Sequence, residues 1–140
     1  MDNYNLERFV SVQKGAFEIA LREIQAGQKY GHWMWYIFPQ LKALGQSGNS
    51  IYYGIADLEE AKEYMQNEYL RENLITISRA LLELKVSDPL IVMGYPDNLK
   101  LCSCMTLFEI AALDIPEFGM VLEKFYGGKR DDKTINLLKM

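Results

Sequence analysis

Apolar and polar positions along this chain follow the period of α-helices. Leu6, Phe9, Val10, Phe17, Ala20, Leu21 and Ile24 recur at spacings near three and four, which predicts an amphipathic helix over 6–26 that stops at Gly27. Residues 33–44 are apolar almost all round. If helical, that stretch is buried on most sides and is kinked or closed by Pro39, so it predicts a central aromatic helix. Glycine and small polar residues over 45–50 predict an exposed loop.

Asp57 followed by Glu60 resembles a capping box, which starts a helix at that point. Tyr69, Leu70, Leu74, Ile77, Leu81 and Leu84 form the stripe of a helix from about 68 to 85. Asp88-Pro89 opens a short helical segment that Gly94 ends. Pro96-Asp97 begins a strongly apolar segment that runs to Asp114, a second core helix. Pro116 opens a helix through Phe125 that Gly127-Gly128 closes, and Asp131-Asp132 caps the last one. The best strand candidate, 50–55, is short and has no partner. The expected fold class is therefore all-α, with residues 1–140 in a single multihelical globular domain.

Composition narrows the function classes. A length of 140 residues, 49% apolar and 24% charged, is that of one packed core. The formal net charge of -4 lacks the positive field on which non-specific nucleic-acid binding depends. Nucleic acid is not an expected partner. The polar start Met1-Asp2-Asn3-Tyr4-Asn5 has neither a secretory nor a transit pattern, and the longest apolar run falls far short of the about 20 residues a bilayer needs. A cytoplasmic protein without a membrane span is expected. Cys102 and Cys104 offer no disulfide framework. About 200° apart on a helix, they point away from each other, and with a single histidine no zinc site, and no cofactor, is expected.

Several residues are candidates for chemistry. His32 is the only histidine and is suited to proton transfer near neutral pH. On a continuous helix Trp33, Tyr36 and Gln40 share one side, and His32, Trp35 and Pro39 another. These rings either fill the core or wall a pocket for a flat ligand that Gln40 hydrogen-bonds. Asp97, Lys100, Ser103 and Thr106 recur every three residues, a polar face suited to phosphate or another anion, or to simple capping. Gly127, Gly128, Lys129 and Arg130, followed by Asp131 and Asp132, could likewise bring amides and cations to an anion, or only stop one helix and cap the next. Hydrolysis of an N-glycosidic bond would also need a carboxylate, and Asp97 and Asp132 are the candidates.

The run 31–41 (Gly-His-Trp-Met-Trp-Tyr-Ile-Phe-Pro-Gln-Leu), with Tyr53-Gly54-Ile55, Asp97-Asn98-Leu99-Lys100-Leu101, Ser103-Cys104-Met105-Thr106-Leu107-Phe108 and Phe125-Tyr126-Gly127-Gly128, resembles the bacterial family catalogued as domain of unknown function 1810. The resemblance covers nearly the whole chain and implies a single multihelical domain; that family has no established activity to transfer. Where relatives show Arg-Ser-Ser-Met-Thr, this chain has Cys102-Ser103-Cys104-Met105-Thr106, so the arginine is absent, and with it any anion contact it would make. The order of aromatic helix, late Asp-rich turn and Gly-rich Tyr segment is also similar to the NAD/ADP-ribose superfamily, whose members include N-glycosidases. Two function classes follow. One binds or processes a small nucleotide-like molecule between the aromatic segment and the Lys100 helix. The other is a non-catalytic interaction module that docks a protein or a second copy, a homodimer, through the aromatic segment or the Tyr52-Tyr53 edge.

Overall fold

A computed structural model describes residues 4–139; the first three residues of the polar amino terminus and the final Met140 lie outside the described residues. The chain order is α1 (Glu7–Gln25), α2 (Met34–Ile37), a 3-10 turn (Lys42–Leu44), α3 (Gly48–Tyr52), α4 (Leu58–Gln66), α5 (Glu68–Glu83), α6 (Pro89–Met93), α7 (Asp97–Ala111), α8 (Glu117–Tyr126) and α9 (Asp132–Leu138). The fold is all-α. Among the described residues there is no strand, only one parallel bridge between Leu41 and Ile55.

Capping residues set most helix starts. The side chains of Ser47, Asp57, Asn67, Asp88 and Asp131 each accept a hydrogen bond from a first-turn amide of the helix that follows, meeting donors that no intrahelical carbonyl can reach. Glu60 completes its capping box in a displaced form. Its carboxylate accepts from Ala56 N–H rather than from the cap residue, and its other oxygen pairs with Arg8 at 2.8 Å.

The central helix is α7, not the aromatic segment. Leu101, Cys104, Met105, Leu107 and Phe108 are all fully buried, and α7 packs against α4, α6, α8 and α9 while α5 packs against α1, α4 and α8. The helix expected over 33–44 is a single turn, α2. Proline disfavours the helical conformation of the residue before it, and Phe38, ahead of Pro39, leaves the helix at φ -124°, ψ 70°. The chain then runs extended, with Ile55 N–H bonded to Gln40 O and Lys42 N–H to Ile55 O. The loop expected over 45–50 is also corrected, because Ser47 caps α3 within it.

Candidate functional site

The Gln40–Leu44 stretch faces the start of α7 and the α8–α9 turn across a cleft of about 580 Å³. Gln40 and Leu44 form one wall. Pro96, Leu99, Lys100, Cys102 and Ser103 form the second, and Tyr126 with 129–133 the third. A volume of that order suits a small organic ligand. The lining is largely apolar, and at its edge Lys129, Lys133 and Asp132 are exposed and form no ion pair among the described residues.

Local folding places these groups. Gly127 takes a left-handed φ of 60° and Gly128 one of 83°, a conformation glycine adopts without a side-chain clash. They end α8 and turn the chain toward the cleft, where Lys129 follows at once. Thr106, fully buried on α7, donates to Cys102 O and accepts from Asp131 N–H at 2.9 Å. It ties the start of α9 to α7 and does not line the cleft.

Electrostatics divides the candidate residues further. Arg130 lines the cleft, but its guanidinium forks onto Glu109, at 2.9 and 2.5 Å, and reaches Glu123 at 3.3 Å. The hydrogen bond to Glu109 raises its pKa further. Much of its charge is thus neutralised within the protein. Asp97 lies outside the cleft and binds Lys29 at 2.7 Å and Lys100 at 3.6 Å. Asp132 is exposed on the cleft wall, and its side chain makes no hydrogen bond or ion pair among the described residues. Cys102 is a half-buried neutral thiol, with burial first and the Asp131 carboxylate second pushing its pKa up to about 11. Cys104 is fully buried, and no group of His, Cys, Asp and Glu among the described residues could hold a metal ion.

The aromatic segment splits between core and site. Trp33 is core: its indole N–H donates to Glu23 at 2.9 Å and its ring packs on Phe38. Tyr36 is half-buried beside Tyr53, and its backbone carbonyl accepts from the buried Gln13 amide. His32 is exposed and lines neither the cleft nor the slot beside it. Trp35 and Gln40 do reach the site. A narrow slot of about 10 Å³ lies beside the cleft and shares Gln40 and Lys100 with it. Trp35 lines this slot, and the Lys100 ammonium lies 5.2 Å from the centre of its ring. The Trp35 indole N–H is buried without an acceptor, a state that costs about 1–3 kcal/mol when nothing meets it. The other such orphan among the described residues, Asn98 Oδ1, belongs to a residue that lines neither cavity.

The structure therefore gathers Gln40, Lys100, Ser103, Lys129, Arg130 and Asp132 around the cleft and Trp35 at its slot. It leaves His32, Trp33, Tyr36, Asp97, Thr106, Gly127 and Gly128 outside both cavities. Sequence reasoning missed Leu99, Tyr126 and Lys133. The Phe-Tyr-Gly-Gly motif was the available signal for Tyr126; Leu99, exposed at 53% near the start of α7, had none in the sequence.

The chain is similar to a solved structure titled as a conserved hypothetical protein, Rv1873 from Mycobacterium tuberculosis, with 40% identity, 99% of each chain covered and a TM-score of 0.97. No curated protein shows significant similarity to it. The family model described as a protein of unknown function (DUF1810) matches residues 3–138, and the chain belongs to that family.

Proposed function

We propose that this protein binds a small anionic ligand with a flat apolar body, such as a nucleotide, in the cleft between Gln40–Leu44 and α7–α9. One observation carries the reading. A cleft with an apolar floor of Leu44, Leu99 and Tyr126 has Lys129 and Lys133 free at its rim, in a chain of net charge -4. The lining carries four basic residues, Lys100, Lys129, Arg130 and Lys133, against two acidic ones, Asp131 and Asp132, and in an acidic protein that local excess draws an anion, which is held more firmly as water is excluded. The nucleotide class is put first because the cleft joins an apolar lining to exposed lysines. No helix among the described residues is long and apolar enough to cross a membrane, and a cytoplasmic setting suits two free thiols.

The test is a thermal-shift series with nucleotides, ADP-ribose and their uncharged nucleosides. A ligand well above its dissociation constant raises the melting temperature, by about 2.7 kcal/mol of added stability at a hundredfold excess. Lys129→Ala with Lys133→Ala should weaken the shift for the charged members and leave unliganded stability unchanged. No shift across the series would overturn the proposal. Hydrolysis of a bound N-glycoside would call on Asp132, the candidate carboxylate at the cleft, and Asp132→Asn tests it.

A second reading rests on α3, where Ile51 and Tyr52 are 51% and 56% exposed side by side. They offer an apolar edge to a partner chain or to a second copy. Light scattering of wild type and of Ile51→Ser with Tyr52→Ser distinguishes a homodimer built on that edge from a monomer.

A further inference from the structure

We infer that Arg130 is a positioning residue and not a ligand contact. With Glu109 of α7 and Glu123 of α8 it latches the 127–133 wall of the cleft in its binding geometry, and Gly119 of α8 is the place against which that latch is built. The inference rests on the binding reading above and adds to it what holds the lysine-bearing wall in register.

That wall is a turn between two helices, and its lysines serve a ligand best when the backbone beneath them is fixed before the ligand arrives. Arg130 supplies the fixation. Its Nε donates to Glu109 Oε1 at 2.9 Å and its Nη2 to Glu109 Oε2 at 2.5 Å, a bidentate fork that sets the plane of the guanidinium. Its Nη1 donates to Glu123 Oε2 at 3.3 Å and to Gly128 O at 2.6 Å. These four bonds leave one of the five guanidinium donors unspent, so Arg130 grips a ligand only by giving up part of the latch. From α7, Asp131 N–H is held by Thr106 Oγ1 at 2.9 Å, and the Cys102 thiol donates to Lys129 O at 3.7 Å. Lys129 thus stands between two anchored peptide groups.

Two glycines make room for the carboxylates. A Cβ on Gly119 would stand 2.6 Å from Glu109 Oε2 and 3.5 Å from Arg130 Nη2, and one on Gly128 would stand 2.7 Å from Glu123 Oε2. Each carboxylate of the latch therefore lies directly against a glycine. Gly128 has a positive φ that calls for glycine by itself, but Gly119 lies in the first turn of α8 without one, where alanine would suit the helix better. The atoms that a side chain at 119 would displace are those of the Glu109–Arg130 fork.

Gly119→Ala tests this on the full chain. The atom it displaces is the free end of a flexible side chain, so the variant folds, keeps every charge and loses the fork. The Arg130 Nε–H resonance in NMR should move toward that of solvated arginines, and amide exchange at 129–131 should quicken. Affinity for ADP, measured by calorimetry, should fall about tenfold. Gly15→Ala in α1 is the control, since a Cβ there meets nothing within 4 Å, and it should bind ADP as wild type does. Glu109→Gln offers the guanidinium one acceptor oxygen in place of two and makes the chain less acidic. Its affinity should also fall, whereas charge attraction alone predicts a rise. If Gly119→Ala binds ADP as tightly as wild type or more tightly, the latch inference fails and the cleft reading stands. An Arg130 Nε–H resonance unchanged in Gly119→Ala, or tighter ADP binding in Glu109→Gln, also overturns the inference. If wild type binds neither ADP nor ADP-ribose, the cleft reading and the inference fall together.

Discussion

Glu23 on α1 holds the approach to the aromatic segment, and its removal gives a sharp test of how that segment is anchored. One carboxylate oxygen accepts from Tyr30 N–H at 2.7 Å, Gly31 N–H at 2.9 Å and the Trp33 indole at 2.9 Å. In Glu23→Ala the exposed amide at Tyr30 turns to water at small net cost. The Trp33 side chain, only 3% exposed, keeps its N–H buried without an acceptor, at about 1–3 kcal/mol, and the two amides together add about 1 kcal/mol. The expected loss is about 2–4 kcal/mol, a drop of roughly 6–12 °C in Tm for a domain of this size. Glu23→Gln keeps an acceptor and should lose less than half as much. The difference between wild type and Glu23→Ala must also depend on pH. Burial pushes the Glu23 carboxyl up, but the amides of Gly31 and Tyr30, the Trp33 indole and Lys29 outweigh it and hold its pKa below the ordinary value. A depressed carboxylate stabilises fully above its unfolded pKa of about 4.3 and progressively less as pH falls through the lower folded value. Urea melts at neutral pH and at about pH 3 should therefore give a larger difference in the first than in the second, with part of it kept in acid because the protonated carboxyl still offers a carbonyl acceptor. A loss within about 0.5 kcal/mol at neutral pH, or a difference that does not shrink in acid, would refute this account.

Other substitutions test the remaining structure. Arg8→Ala strands the Glu60 carboxylate, whose side chain is 2% exposed, without its 2.8 Å partner, and should cost about 3–5 kcal/mol in urea melts; a joint Arg8→Met, Glu60→Leu change should recover part of that. Lys124 donates to the carbonyls of Leu81, Leu82 and Leu84 at the end of α5, so Lys124→Met should lower stability by about 1–3 kcal/mol and speed amide exchange in the last turn of α5. Gly127→Ala meets no neighbour but forces φ 60° on a side-chain residue, which should cost about 1 kcal/mol. Iodoacetamide at neutral pH should leave both cysteines of the native protein unlabelled, because Cys104 is fully buried and burial keeps the Cys102 thiol protonated; rapid labelling of Cys102, detected by mass spectrometry, would contradict its assignment as an inert wall of the cleft.

Helix ends and helix faces were legible in the amino-acid order because their causes are local. Asp57, Asp88 and Asp131 cap the helices they precede, Gly127 turns the chain after α8, and the stripe of Leu70, Leu74, Ile77 and Leu81 is the buried face of α5. Each rests on a side chain acting within a few residues of itself. The aromatic segment misled because apolar density reports burial and not conformation, while Pro39 acts on the residue before it. Only the tertiary structure decided which polar groups meet. Gln40 and Lys100 are sixty positions apart and share a cleft because the extended chain after Pro39 is held to Ile55 and laid against α7. Arg130 and Asp97 looked like ligand contacts in the sequence, but Glu109, Glu123 and Lys29 engage them. A residue's type fixes what chemistry it could offer, and the partners that folding brings to it determine how much of that chemistry is left free.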